Sequence, residues 1–265
     1  MHLQNRVALV TGASRGIGAA IVRQLQAAGC QVAFTARHAE PLHALARPQD
    51  LPIAGDLLDE AFRQHLVTQT VARYGRIDLL INNAGVGQYQ RSIEAESAEI
   101  RSLWEINFFA PLELARLLVP QMLGQERLAD ANECGMVVNV SSVAGRVTLP
   151  WFSMYSASKF ALSSWTRGLR MEYLGKGLRT LEVCPGYVKT EFQASALSGK
   201  PPAALAASKD RFAITPDACA KAILQGIRKN RRTVMTPASS WALVLASHLF
   251  PAMVERRMAR INGTD

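Results

Sequence analysis

Short apolar runs recur along the first two thirds of the chain, each followed by a longer stretch with helical spacing. Val7–Val10, Gln31–Thr35, Leu51–Ala54, Ile77–Ile81, Met136–Val140 and Leu178–Cys184 read as strands, each short and apolar. Between them, helices are expected over about Ile17–Ala28, Asp59–Tyr74 and Ala98–Leu123, and again around Tyr155. Strands that are apolar throughout and separated by helices belong in a parallel sheet covered on both faces. Right-handed crossovers make that an α/β, doubly wound sheet, with a ligand crevice at the carboxyl ends of its strands. No linker interrupts the pattern, so residues 1–265 are expected to form a single domain.

Two regions break the rhythm. Gln193–Lys209, "QASALSGKPPAALAASK", is rich in Ala and Ser with a proline pair, and predicts a mobile flap spanning about 190–212. Ser239–Ile261 is apolar and then basic. Its apolar run is short and holds His248 and Pro251, which argues against a membrane span. It reads as a dimer face or a helix at a substrate mouth, with interfacial membrane contact as the alternative.

Composition adds little: 49% hydrophobic and 19% charged residues are ordinary for a folded protein. The net charge of +9 gathers late, at Arg228, Lys229, Arg231 and Arg232 and again at Arg256, Arg257 and Arg260. Such a balance suits nucleic acid, a membrane surface or a phosphate-bearing ligand. With no nucleic-acid motif beside it, it reads as a solvated basic face. Cys30, Cys134, Cys184 and Cys219 are far apart in apolar settings, as expected of reduced, buried thiols in a cytoplasmic protein. "MHLQNRVALV" has no apolar signal core, so secretion is not expected. His2, His38, His43, His65 and His248 show no metal-ligand spacing, and no metal is expected.

Two stretches carry chemistry. "TGASRGIG" (Thr11–Gly18) follows the first strand and opens the first helix. Unpaired amides at a helix start favour a phosphate, and glycines let backbone approach it. Its spacing is G-x-x-x-G-x-G, and no Gly-Lys-Ser/Thr makes it a P-loop. Placed after a first strand in an alternating chain, it points to dinucleotide binding. "YSASK" (Tyr155–Lys159) puts a phenol and an ammonium one helix turn apart on one face.

With these motifs the chain resembles the short-chain dehydrogenase/reductases over about residues 5–190. The resemblance rests on "TGASRGIG" at 11–18, "NNAG" at 82–85, Asn107, "VSS" at 140–142, Y-x-x-x-K at 155–159 and "PGYVKT" at 185–190. It implies a Rossmann-type domain and hydride transfer between a nicotinamide and an alcohol/carbonyl pair. It further implies a catalytic set of Asn107, Ser142, Tyr155 and Lys159, with Ser141 as the competing serine. The implied cofactor residues are Gly12, Ser14, Arg15, Gly16, Ile17 and Gly18 in the loop, and Asp56 and Leu57 at the adenine. Asn83 and Gly85 follow, then Tyr155 and Lys159 at the nicotinamide ribose, and Pro185, Gly186, Val188 and Thr190 around the carboxamide. Asp56 also suits a helix N-cap region.

The second strand ends "FTARHAE", where an NAD-preferring site would carry a carboxylate near Ala36. Here Ala36 is neutral and Arg37 follows, a guanidinium able to fork onto a 2′-phosphate. Arg15 would meet that phosphate from the other side, so NADP(H) is expected. Reducing a carbonyl requires a proton as charge develops on oxygen. A free tyrosine titrates near ~10, and Lys159 is expected to lower that value by stabilising phenolate.

The walls Val86–Gln90, Val143–Val147, Tyr187 and the flap are mostly apolar or neutral, which suits a hydrophobic ketone, aldehyde or alcohol. The extended C-terminal region looks like hydroxysteroid and lipid-type carbonyl reductases more than shorter acyl-carrier-protein reductases, though a 3-oxoacyl-type reductase stays open. A dinucleotide-sensing or scaffold protein that lost turnover is the other reading. The resemblance also implies a homodimer or homotetramer.

Overall fold

The computed structural model describes residues 1–128, 133–201 and 213–262. Seven strands form one sheet: β1 (Val7–Thr11), β2 (Gln31–Ala36), β3 (Leu51–Ala54), β4 (Leu79–Asn82), β5 (Gly135–Val140), β6 (Leu178–Pro185) and β7 (Thr233–Thr236). Their order is β3-β2-β1-β4-β5-β6-β7, and every neighbouring pair is parallel. Helices α1 (Gly16–Ala27), α2 (Ala39–Leu45), α3 (Glu60–Tyr74), α4 (Ser97–Trp104) and α5 (Ala110–Gly124) precede α6 (Ser153–Glu172). After it come α7 (Pro216–Arg228), α8 (Ser240–Leu249) and α9 (Pro251–Asn262).

The strands are apolar throughout because alternate side chains enter two different cores. Ala8 and Val10 pack with Ile21 and Leu25 of α1 and with Ile223 and Ile227 of α7. Val7 and Leu9 point the other way, onto Leu66 of α3, Leu114 and Leu118 of α5 and Leu169 of α6. Period-two geometry divides one apolar run between two helical layers.

Three features depart from the sequence reading. α2, α7 and β7 are additional elements, β7 extending the expected six strands at the far edge beside β6. The expected helix over Ala98–Leu123 is broken: Glu105–Phe109 is π-helical, between α4 and α5. The C-terminal stretch is two helices meeting at Pro251, where a ring without an N–H ends one helix and starts the next. The predicted flap is described only as far as residue 201, and 202–212 lie outside the described residues.

All four cysteines are buried and unbridged. Burial pushes the Cys30, Cys184 and Cys219 thiols up to about 12, so they stay protonated and unreactive at neutral pH. Among the described residues no helix is long and apolar enough to cross a membrane.

Candidate active site

The strand order reverses at β1: β2 and β3 lie on one side, β4 to β7 on the other. Such a switch point opens a crevice at the strands' carboxyl ends, and the glycine loop lies there. Asn83 amide Nδ2 donates to the carbonyls of Thr11 (3.0 Å) and Gly12 (3.1 Å). Thr11 Oγ1 accepts from the backbone N–H groups of Asn83 and Ala84, both at 3.0 Å. The ends of β1 and β4 are thus stitched together. Gly12 has φ +67°, and a Cβ there would stand 2.8 Å from Ala84 Cα. Only glycine fits that turn.

No side chain caps the first turn of α1, and no acidic residue stands in it. Its amides, the half-buried Ser14 and Ile17, and Gly16 and Gly18 form a cradle suited to an anionic group. Ala36 closes β2 without a carboxylate, and Arg37 beside it is exposed, with no ion pair among the described residues. These features fit the phosphates of a dinucleotide. Arg15, in contrast, is engaged: it pairs with Glu191 at 2.6 Å and also donates to Ser195. Asp56 is exposed and its Oδ1 accepts from Leu58 N–H at 3.0 Å, while Leu57 is buried. The cap of α3 is Asp59, whose side chain accepts from Ala61 N–H.

Across the crevice, Gly186 N–H donates to the Thr236 carbonyl (2.8 Å) after Pro185 ends β6. Val188 is buried, and Thr190 faces Gly16, whose Cβ would lie 3.0 Å from Thr190 Cγ2. Gly85 sits between Asn107 and Lys159: a Cβ there would be 3.2 Å from Asn107 Oδ1 and 3.4 Å from Lys159 Nζ.

Tyr155 and Lys159 occupy the first two turns of α6 and are 6% and 3% exposed. Lys159 Nζ lies 5.7 Å from the Tyr155 ring centroid and donates to the Val140 carbonyl at 3.0 Å. Ser142 caps the short 3₁₀ turn Val143–Gly145, accepting from Ala144 N–H at 3.0 Å, and its hydroxyl favours the ionised form of the Tyr155 phenol. Ser141 is spent elsewhere, on the Lys159 carbonyl (3.1 Å) and Ser163 (2.8 Å), holding α6 to β5.

Burial pushes the Tyr155 phenol up to about 12, with the Ser142 hydrogen bond pulling the other way. Burial alone lowers the Lys159 ammonium to about 8. The phenol therefore does not show the depression expected from Lys159: both groups are dehydrated, and burial is the largest cause acting on each.

Asn107 is wholly buried in the π-helical segment. Its Oδ1 accepts from Val86 N–H at 2.9 Å, and its Nδ2 donates to the Val86 carbonyl (3.0 Å) and Ser158 Oγ (3.1 Å). Ser158 Oγ in turn donates to the Tyr155 carbonyl at 2.7 Å. The π-turn shifts the helix register enough to aim Asn107 at α6 and the "NNAG" turn together.

Sequence reasoning did not name Asn139, Thr166, Phe152 or Trp104 as participants. Asn82 Nδ2 donates to Asn139 Oδ1, and Asn139 Nδ2 to Thr166 Oγ1, each at 2.8 Å, linking β4, β5 and α6 under the site. Phe152 stacks on Tyr155 with ring centroids 4.0 Å apart, and Phe192 meets Tyr155 edge-on at 5.7 Å. Met258 and Ile261 of α9 pack against the same cluster, as do Val86 and Trp104. Met258 and Ile261 lie in the stretch read as a dimer face or a helix at a substrate mouth. Of the expected walls, Val86, Tyr89, Ala144 and the flap's Phe192 and Ala196 join this cluster, whereas Val143 and Val147 turn toward Met235 and Val244.

A seven-stranded parallel sheet with a glycine loop at its switch point is a Rossmann-type fold. Residues 6–201 match the family model described as short chain dehydrogenase. The chain belongs to the short-chain dehydrogenase/reductase family and is an oxidoreductase of that family. It is 37% identical to the ketoacyl reductase HetN of a Nostoc species over 70% of this chain and 64% of that one. It is 28% identical to an SDR family protein 7-like dehydrogenase/reductase of Anopheles gambiae over 99% of this chain and 86% of that protein. Among solved structures, a short-chain dehydrogenase from Streptomyces avermitilis superposes with TM-score 0.81 at 32% identity, covering 100% of both chains. One from Burkholderia cenocepacia, in complex with NADP, gives TM-score 0.77 at 28% identity over 97% of this chain and 99% of that one.

Proposed function

We propose that the protein interconverts a hydrophobic ketone or aldehyde and its alcohol with NADP(H), using Tyr155 as the general acid and base. The observation that carries this reading is geometric: the buried Tyr155 phenol has the equally buried Lys159 ammonium one turn away, 5.7 Å from its ring centroid, beside the glycine-loop crevice. A bound nicotinamide supplies or accepts the hydride.

The chain's own groups handle the proton. Ser142 and Tyr155 converge on the position of a substrate oxygen, Tyr155 giving up its proton as negative charge develops there. Lys159, anchored on the Val140 carbonyl, stabilises the phenolate left behind. Asn107 fixes Val86 and Ser158 and so positions the tyrosine's helix against the crevice. The aromatic and aliphatic cluster around Tyr155 excludes water and favours an apolar substrate. Preference for the 2′-phosphorylated cofactor rests on Ala36 and the exposed guanidinium of Arg37.

A panel of hydrophobic ketones and alcohols, followed through nicotinamide absorbance with each cofactor, tests the reading. NADPH should outperform NADH, and the opposite order overturns the Arg37 assignment. Tyr155→Phe should lower turnover by about 10²–10⁴-fold while cofactor still binds. Near-native turnover in that variant would remove Tyr155 from the mechanism. Binding without turnover across the panel would leave a dinucleotide-sensing role instead.

A further inference from the structure

α8 and α9 form a hairpin with two dissimilar sides. Inward, Val244 and Leu243 pack with Val147, Cys184 and Met235, and Met258 and Ile261 reach the cluster around Tyr155. Outward, Trp241, Leu245, Leu249, Phe250 and Met253 are 43%, 59%, 61%, 57% and 60% exposed. Five of the twelve exposed large apolar side chains among the described residues thus crowd into positions 241–253. Trp241, Leu245 and Leu249 succeed one another every fourth residue, one continuous line along α8. Phe250 and Met253 carry that line round the corner into α9. Beyond it, Arg256, Arg257 and Arg260 are all exposed, against the one acid Glu255 in the same helix. An apolar ridge that ends in a cationic collar is more than scattered surface hydrophobicity.

We propose that this hairpin seats the protein on an anionic lipid surface. The apolar ridge enters the boundary between headgroups and acyl chains, and the three guanidiniums rest on lipid phosphates. Charge decides against a second copy of the chain as the occupant. In a second copy this face offers the collar only Glu255 as an acid in the same helix, whereas anionic headgroups complement all three arginines. The docking face and the cover over Tyr155 are then opposite sides of α9. A hydrophobic substrate dissolved in the lipid would reach the pocket past Met258 and Ile261. That route, though not the docking itself, rests on the oxidoreductase reading above.

Flotation of the full-length protein separates the outcomes without measuring turnover. Vesicles of phosphatidylcholine alone are compared with an equal mixture of phosphatidylcholine and phosphatidylglycerol, each at low and high salt. The protein should float with the mixed vesicles and be released as salt rises. Arg256→Ala with Arg257→Ala should lower partitioning by about thirtyfold, since each basic side chain near the surface contributes about a fivefold factor. Leu249→Ser with Phe250→Ser, both exposed in the wild type, should abolish flotation while the far-ultraviolet circular dichroism is unchanged. Absence from both kinds of vesicle overturns the proposal. So does a dimer in sedimentation velocity that the Leu249→Ser, Phe250→Ser protein no longer forms, because the ridge is then covered by a second copy. Should the apolar variant misfold, the arginine variant, which alters exposed charge alone, still decides. NADPH oxidation can be intact in every one of these outcomes, so failure here leaves the enzymatic reading untouched.

Discussion

Lys159 is an ammonium that the fold holds against its preference for water. Burial lowers its pKa from 10.5 to about 8, which corresponds to roughly 3 kcal/mol of destabilisation at neutral pH. A base whose folded pKa lies below its unfolded one binds fewer protons folded than unfolded. The penalty is therefore full below about pH 8, fades between 8 and 10.5, and is gone above that. Lys159→Met should raise the thermal midpoint at pH 7 by roughly 5 °C, after allowing about 1 kcal/mol for the lost bond to the Val140 carbonyl. By pH 10 the gap should close. Calorimetry at the two pH values checks this, and a gap independent of pH would show that the ammonium is not dehydrated. If Lys159 acts as proposed, activity and cofactor affinity should fall in the same variant. The spacing of Ser142, Tyr155 and Lys159 was legible in the sequence, but the direction of their pKa shifts was not. Phe152 and Phe192 touch the Tyr155 ring and Met258 packs against the same cluster, from stretches far apart in the chain, and no local pattern announces that convergence.

Among the elements, the glycine loop shows how little room the crevice leaves. A Cβ on Gly18 would overlap the Gly12 carbonyl oxygen and stand 2.6 Å from Asn83 Nδ2. That carbonyl accepts one of the bonds joining β1 to the "NNAG" turn, so the overlap spreads across the switch point. Gly18→Ala should weaken NADPH binding by at least about tenfold and cost about 1–3 kcal/mol of stability through local overpacking. Gly124→Ala, at the end of α5 with nothing within 4 Å of the added carbon, is the control and should be neutral or slightly stabilising. Fluorescence titration with NADPH and a thermal melt check both. A binding constant unchanged in Gly18→Ala would mean that the loop can yield. The six strands flanked by helices were readable because apolar runs and glycine turns alternate so regularly. β7 was not: four residues, "TVMT", are too few to show a period, and only pairing with β6 defines them. α2 is hidden by Pro41 in a seven-residue helix, and the π-turn at Asn107 changes register without changing composition.

Across the whole molecule, chemistry and stability stand at opposite ends of the sheet. The crevice lies at the carboxyl ends of β1 and β4, and Asp78 lies just before the amino end of β4. Asp78 is fully buried and accepts from Val7 N–H (2.9 Å), Arg76 Nη2 (2.8 Å) and Nε (3.1 Å), and Arg6 Nη1 (3.4 Å). Arg6 is itself only 1% exposed, so the carboxylate offsets a charge that has almost no access to water. Removing one partner of such a cluster costs far more than the pair contributes, because the remaining cation keeps its desolvation penalty. Asp78→Ala should therefore lose about 3–5 kcal/mol, read as a lower urea midpoint with an unchanged slope. The loop, Asn83, Ser142 and Tyr155 do not touch this cluster, so the fraction still folded should bind NADPH with wild-type affinity. Weakened binding in proportion to the lost stability would mean instead that the two ends of β1 and β4 respond as one cooperative unit.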